Sequence, residues 1–134
     1  MFYSGNSKGI PMYELKTITQ FGAAHQLKNY HGKCEHLHGH NWKIEVYVKG
    51  EELDDCGLLV DFKDIKEKTN EIIERLDHKF LNELECFAEI NPSSENIARY
   101  IYDELSRDLN TGKIKVSRVT AWESDNACAT YSVK

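Results

Sequence analysis

Asn41-Trp42-Lys43-Ile44-Glu45-Val46-Tyr47-Val48-Lys49 is the stretch from which the fold is read. Trp42, Ile44, Val46 and Val48 alternate with Lys43, Glu45, Tyr47 and Lys49, and side chains of a strand point to opposite faces every second residue, so a half-buried strand is predicted from about His40 to Val48. Upstream, the β-branched Thr17, Ile18 and Thr19 support a strand from Tyr13 to about His25, and the two strands make a hairpin. Downstream, the turn-rich segment 51–57 precedes Phe62, Ile65, Thr69, Ile72, Ile73 and Leu76, whose spacing marks one face of a helix capped by Asp61 and ending near Asp77. Asn91-Pro92-Ser93-Ser94 opens a second helix with a serine cap, carrying Ile97, Ile101 and Leu105 to about Leu109. Thr111-Gly112-Lys113 ends it, and strands follow from Ile114 to about Trp122 and from Ala127 to Val133, with the alternation slipping near Arg118 as at a bulge. The order ββααββ predicts an α+β domain: an antiparallel four-stranded sheet with two helices on one face. Its unpaired edges favour pairing between identical subunits, so a homo-oligomer is expected.

The chain of 134 residues has the length of one domain, placed at 13–134, with residues 1–12 (Gly5, Gly9 and Pro11, no hydrophobic period) a loose leader and Met12 an alternative start. Seventeen Lys and Arg against twenty-two Asp and Glu give a net charge of −5, which offers no general attraction to a phosphate backbone or an anionic membrane. Neither a nucleic acid nor a membrane is therefore expected as partner. Apolar runs fall far short of the ~20 residues that cross a bilayer, and no signal-peptide core is present, so a cytosolic protein is expected. Cys34, Cys56, Cys86 and Cys128 form no CxxC pair and are read as thiols.

The segment from His31 to His40 holds four of the six histidines together with Cys34. On an extended chain His36, His38 and His40 project to one side, and the hairpin sets His25 across from His38 and His40, so three imidazoles converge. Spacing leaves open whether His36 or His40 partners His38. Three histidines with an open fourth position are the pattern of a catalytic zinc, whereas calcium and magnesium prefer oxygen. Cys34, four residues before His38, would have its thiolate stabilised by such a cation and serve as base, nucleophile or fourth ligand. Asp77-His78 reads either as an acid/base pair, the carboxylate fixing the imidazole tautomer, or as a helix-end cap. Glu123 is either an exposed carboxylate or an anchor that accepts parallel hydrogen bonds from a guanine-like or pterin ring. Trp42 and Trp122 are expected in the core. The sequence contains neither GxGxxG nor a P-loop.

Phe21-Gly22-Ala23-Ala24-His25, Cys34-x-x-x-His38-Gly39-His40, Val60-Asp61-Phe62, Leu76-Asp77-His78 with Leu81-Asn82, Asn91-Pro92-Ser93-Ser94-Glu95-Asn96, and Glu123 before Cys128 together resemble the family of 6-pyruvoyl-tetrahydropterin synthase and the QueD-type 6-carboxy-tetrahydropterin synthases. The resemblance covers nearly the whole chain after residue 13 and implies the tunnelling fold, in which subunits join into a β-barrel as trimers that pair into hexamers with interfacial sites. It implies zinc on His25, His38 and His40, Cys34 as catalytic thiol, Asp77 and His78 as a proton-transfer pair, Glu123 as pterin anchor, and Ser93 and Ser94 lining the pterin pocket. The implied substrate is 7,8-dihydroneopterin triphosphate. The three-residue gap between Cys34 and His38 resembles the QueD branch, which forms 6-carboxy-5,6,7,8-tetrahydropterin with loss of acetaldehyde and triphosphate on the way to queuosine. Glu35, directly after the thiol, resembles paralogues that release 6-hydroxymethyl-dihydropterin for folate synthesis, a second base beside Cys34 redirecting which bond breaks.

Overall fold

A computed structural model describes residues 9–29 and 35–134 of the chain. Strand β1 (Tyr13–His25) pairs antiparallel with β2 (His38–Gly50) from Tyr13 opposite Gly50 to His25 opposite His38. The expected strand at 40–48 thus extends by two residues at each end, because His38 and Gly50 also find partners on β1. Trp42, Ile44, Val46 and Val48 are fully buried, and each such side chain contributes roughly 1.5–3 kcal/mol relative to an exposed one.

Helix α1 (Phe62–Glu74) begins where Asp61 accepts a hydrogen bond from the Lys63 N–H at 2.9 Å, and buries Ile65, Thr69, Ile72 and Ile73. Phe62, which the spacing also assigned to that stripe, is half exposed as the first helical residue, and the buried stripe begins at Ile65. The helix closes at Arg75, and two further turns carry the chain through buried Leu76 to His78. Two residues, Lys79–Phe80, then pair parallel with Ala23 and Ala24 as β3. A two-residue strand has no period, so sequence reading passes over it. Helix α2 (Ser94–Leu109) is capped by the Ser93 hydroxyl, which accepts from the Asn96 N–H at 3.2 Å, and buries Ile97, Ala98, Ile101, Leu105 and Leu109.

Strands β4 (Ile114–Ser124) and β5 (Ala127–Tyr131) complete a sheet of order β3-β1-β2-β4-β5. The four long strands are antiparallel as expected, the helices share one core with one sheet face, and the short parallel β3 makes the sheet mixed. The slip near Arg118 is a bulge: Arg118 faces Tyr47 and Val116 faces Val48, which leaves Ser117 over. A second irregularity opposite β5, between Trp122 and Ser124, falls on Glu123. On the face away from the helices, the Trp122 indole donates to Glu45 at 2.7 Å, with Lys16 3.5 Å from the same carboxylate and the Lys43 ammonium 4.8 Å from the indole ring centre. Trp122 is therefore half-buried outside the core, unlike Trp42, because its register with Lys43 sets it on the opposite face. Burial alone would raise the Glu45 carboxyl, but the hydrogen bond from Trp122 and the charge of Lys16 hold it below its ordinary range. Of the expected leader, residues 1–8 lie outside the described residues and 9–12 are exposed coil.

Gly50 lets β2 run tightly past the turn before β4: a Cβ there would lie 2.5 Å from the Lys113 carbonyl oxygen and 2.6 Å from Leu59 Cδ1. Gly50→Ala should lower stability by about 1–3 kcal/mol in denaturant titration, whereas Gly112→Ala, with open space around the new methyl, should cost far less.

Candidate metal centre and active site

His25 ends β1 on the face of Phe21 and Ala23, and His38 and His40 open β2 on the face of Trp42, so the imidazoles continue the apolar layer to the end of the sheet. His25 is 1% exposed. Its Nδ1 lies 2.7 Å from the Pro92 carbonyl, and His38 Nδ1 lies 2.8 Å from the His36 carbonyl. A carbonyl only accepts, so each Nδ1 carries the proton and donates it, leaving both Nε2 atoms as lone pairs 3.0 Å apart. Two lone pairs that close call for a proton or a cation between them. His40 Nε2 is buried without a hydrogen-bond partner, and burial pushes the His40 imidazole below its ordinary range, the neutral form that binds metal.

Glu123 Oε1 lies 3.5 Å from His25 Nε2 and 3.7 Å from His40 Nε2, and one donor atom from each of His25, His38, His40 and Glu123 falls within 4.8 Å of the others. Bonds of about 2.0–2.1 Å in a tetrahedron put ligand atoms roughly 3.3–3.4 Å apart, so this donor set fits zinc. What sequence reading missed is the nearness of Glu123, read as an exposed carboxylate or a ring anchor: the β4 irregularity at this residue sets its carboxylate beside the imidazoles. Trp42 meets His25 and His40 edge-on at 5.2 and 5.4 Å between ring centres and walls the cluster off on the core side. His40 stands with His38 in this group, whereas the His36 side chain is exposed and lies outside it.

Glu35 Oε1 is buried without a hydrogen-bond partner and lies 3.6 Å from His38 Nδ1. Cys34 lies outside the described residues. Ser93 and Ser94 are half-buried at the start of α2, directly after the Pro92 that holds His25, and the Ser93 hydroxyl already caps the helix.

Asp77 and His78 sit past the end of α1, not on it, so helical geometry does not separate them. Asp77 Oδ1 accepts from the Gly22 N–H at 2.9 Å, the His78 N–H donates to the Gly22 carbonyl at 2.6 Å, and Asp77 Oδ2 lies 3.0 Å from His78 Nδ1. The Gly22 N–H, then His78, holds the Asp77 carboxyl below its usual range. His78 has φ of +57°, a left-handed conformation that costs a non-glycine residue about 1–3 kcal/mol, and its side chain is 88% exposed. It is not among the donors grouped around His25. It borders an open cleft of about 590 Å³ that His40 also lines, with Gly22, Gly39, Asn41, Lys79 and Phe80.

This strand order, with an imidazole centre at the end of the first hairpin, defines a tunnelling-fold protein. The chain belongs to the 6-pyruvoyl tetrahydropterin synthase family, whose family model matches residues 14–134. A protein of Archaeoglobus fulgidus, provisionally named 6-carboxy-5,6,7,8-tetrahydropterin synthase, is 41% identical over 100 residues, which cover 74% of this chain and 82% of that one. The dihydroneopterin monophosphate aldolase of Pyrococcus furiosus is 35% identical over 105 residues (78% and 84%), and human 6-pyruvoyl tetrahydrobiopterin synthase 36% over 104 (75% and 70%). The fold matches the solved 6-pyruvoyl tetrahydropterin synthase of Caenorhabditis elegans with a TM-score of 0.80, at 23% identity, over 93% of this chain and 98% of that one.

Titration of metal-free protein with zinc against a chromophoric chelator should show one equivalent bound. Affinity should fall roughly 100-fold or more in His40→Ala and stay near wild type in His36→Ala.

Proposed function

We propose that the protein is a zinc-dependent 6-carboxy-5,6,7,8-tetrahydropterin synthase, converting 7,8-dihydroneopterin triphosphate to 6-carboxytetrahydropterin, acetaldehyde and triphosphate in queuosine biosynthesis. The observation that carries this reading is the convergence of His25, His38, His40 and Glu123 in a chain similar to proteins named for that activity. Residues 13–134 are the catalytic domain and 1–12 a leader. When bound, zinc supplies Lewis acidity to the hydroxyl and developing carbonyl oxygens of the substrate side chain.

His25 and His38, with Nδ1 protons committed to carbonyls, offer their Nε2 atoms as ligands, and His40 completes the trio. Cys34 takes a proton from the substrate side chain. His78, oriented by Asp77, is the second group that moves protons, and its exposed ring suits delivery into the site of a neighbouring copy in a trimer or hexamer. Glu123 accepts hydrogen bonds from the pterin ring, beside the pocket edge formed by Ser93 and Ser94. Thiol chemistry at Cys34 requires a reducing compartment, in line with a cytoplasmic enzyme. No helix among the described residues is long and apolar enough to cross a membrane.

A second reading, release of 6-hydroxymethyl-dihydropterin for folate synthesis, is favoured by one observation: the Glu35 carboxylate carries a buried oxygen with no hydrogen-bond partner, next to His38. A carboxylate so placed can act as a base beside the thiol. The similarity to an aldolase of a related pterin points the same way.

Incubation of zinc-loaded protein with 7,8-dihydroneopterin triphosphate should yield 6-carboxytetrahydropterin and acetaldehyde by mass spectrometry. 6-Hydroxymethyl-dihydropterin as the main product, lost in Glu35→Gln, would establish the second reading instead. Cys34→Ala should lower turnover by about 100-fold or more with zinc content unchanged. For Glu123→Gln, a rise in KM with full zinc content is expected of a ring anchor, and loss of zinc would assign Glu123 to the metal.

A further inference from the structure

Three asparagines in the motifs quoted above take no part in the chemistry just described, yet they make hydrogen bonds of one unusual kind. The Asn82 side chain accepts from the Gln26 N–H at 2.8 Å and donates to the Gln26 carbonyl at 2.7 Å. Asn91 does the same to Lys28, accepting from its N–H and donating to its carbonyl, both at 2.8 Å. Asn96 in turn donates to the Asn91 carbonyl at 2.9 Å.

A primary amide offers one acceptor and one donor in a plane, the same pair that a backbone peptide presents to a neighbouring strand. Partners on alternate residues, 26 and 28, repeat the spacing of a β-ladder. The backbone strands stop just before this point, β1 at His25 and its partner β3 at Phe80. The two side chains thus continue the pairing along an edge where no strand runs.

The opposite side of the same segment is bonded to Glu35: its N–H donates to the Leu27 carbonyl at 2.8 Å, and its carbonyl accepts from the Gln26 side-chain amide at 2.7 Å. Gln26–Lys28 and Glu35 stand on either side of Cys34 in the sequence. Asn91 is also bonded covalently to Pro92, whose carbonyl orients His25. Apart from the bond between Asn96 and Asn91, each of these bonds ends within three residues of a proposed ligand in the sequence.

We propose that Asn82, Asn91 and Asn96 are positioning residues whose side-chain amides form a substitute strand, fixing the segments that flank Cys34 in the sequence, Gln26–Lys28 and through it Glu35, relative to the imidazole cluster. Shape alone does not serve this role, because each of Asn82 and Asn91 must donate and accept at once. An aspartate of the same outline cannot donate, and it sets a carboxylate oxygen against a carbonyl oxygen. The inference rests on Cys34 being the thiol of the proposed reaction, and the test separates the two.

Asn82→Asp and Asn91→Asp are compared with wild type, and with Asn70→Asp on the exposed side of α1 as control, at a temperature well below all melting transitions. Zinc stoichiometry, kcat, KM and the rate of iodoacetamide alkylation at Cys34, resolved by peptide mass spectrometry, are measured. The brace predicts unchanged zinc, KM within about 2-fold, kcat lowered roughly 10- to 100-fold, and a Cys34 alkylation rate changed at least about 3-fold while that of exposed Cys56 is not. Folded variants with wild-type kcat and wild-type Cys34 alkylation would overturn the proposal. So would a loss of kcat that only tracks loss of zinc. Should an aspartate variant fail to fold, Asn82→Ala, which leaves room for water on the Gln26 peptide groups, provides the same comparison. If the wild type forms no pterin product, the functional reading fails, and the alkylation rates alone decide the brace.

Discussion

Everything in this domain depends on the register of one strand pair, β1 against β2, with His25 opposite His38. Strand side chains alternate between faces, so this register puts Phe21, Ala23, Trp42, Ile44, Val46 and Val48 on the face that the helices cover. It puts His25, His38 and His40 on that face as well. A slip by one residue would turn the apolar set to water and scatter the imidazoles. The hydrophobic effect therefore specifies the imidazole cluster: burying several large side chains, each worth about 1.5–3 kcal/mol, secures a geometry that three imidazoles have no means of enforcing themselves.

The price of that placement is electrostatic. His25 and His38 turn lone pairs toward each other at 3.0 Å, and His40 keeps a buried nitrogen unpaired. Such groups are costly in a folded protein unless a ligand satisfies them, and their concentration at one end of the core is what sets this site apart from the remainder of the described surface. Asp77 and His78 show a related strain. Both backbone groups of Gly22 are engaged by the turn after α1, which holds His78 in a left-handed conformation and projects its ring into solvent. His78 lines the same cleft as His40 but stands outside the donors grouped around His25.

Much of the fold was legible locally. The alternation in β2, the Asp61 and Ser93 caps and the slip at Arg118 each follow from a period or a cap that a few residues express without help. What escaped was short or depended on a neighbour. β3 is two residues long and exists only because Ala23 and Ala24 lie beside it. Trp122 left the core because a register with Lys43, not its own hydrophobicity, chose its face, and Glu45 is buried because that indole covers it. The three asparagines stand in the sequence only as members of the spaced motifs, and the bonds of Asn82 to a position more than fifty residues away and of Asn91 to one more than sixty away carry no local signature.

The sequence by itself determined the order of the four longer strands and the two α-helices, the two helix faces and the identity of the histidines, because periodicity and residue chemistry are local properties. It also carried the family resemblance, since the spaced motifs survive as residues whether or not the chain is folded. The tertiary structure alone decided that Glu123 lies with the imidazoles and that Asp77 and His78 hang on Gly22. Those outcomes turn on distances of a few ångströms between residues far apart in the chain. Such distances are set by strand register, bulges and the packing of the helices on the sheet, and they come into being only when the chain has folded.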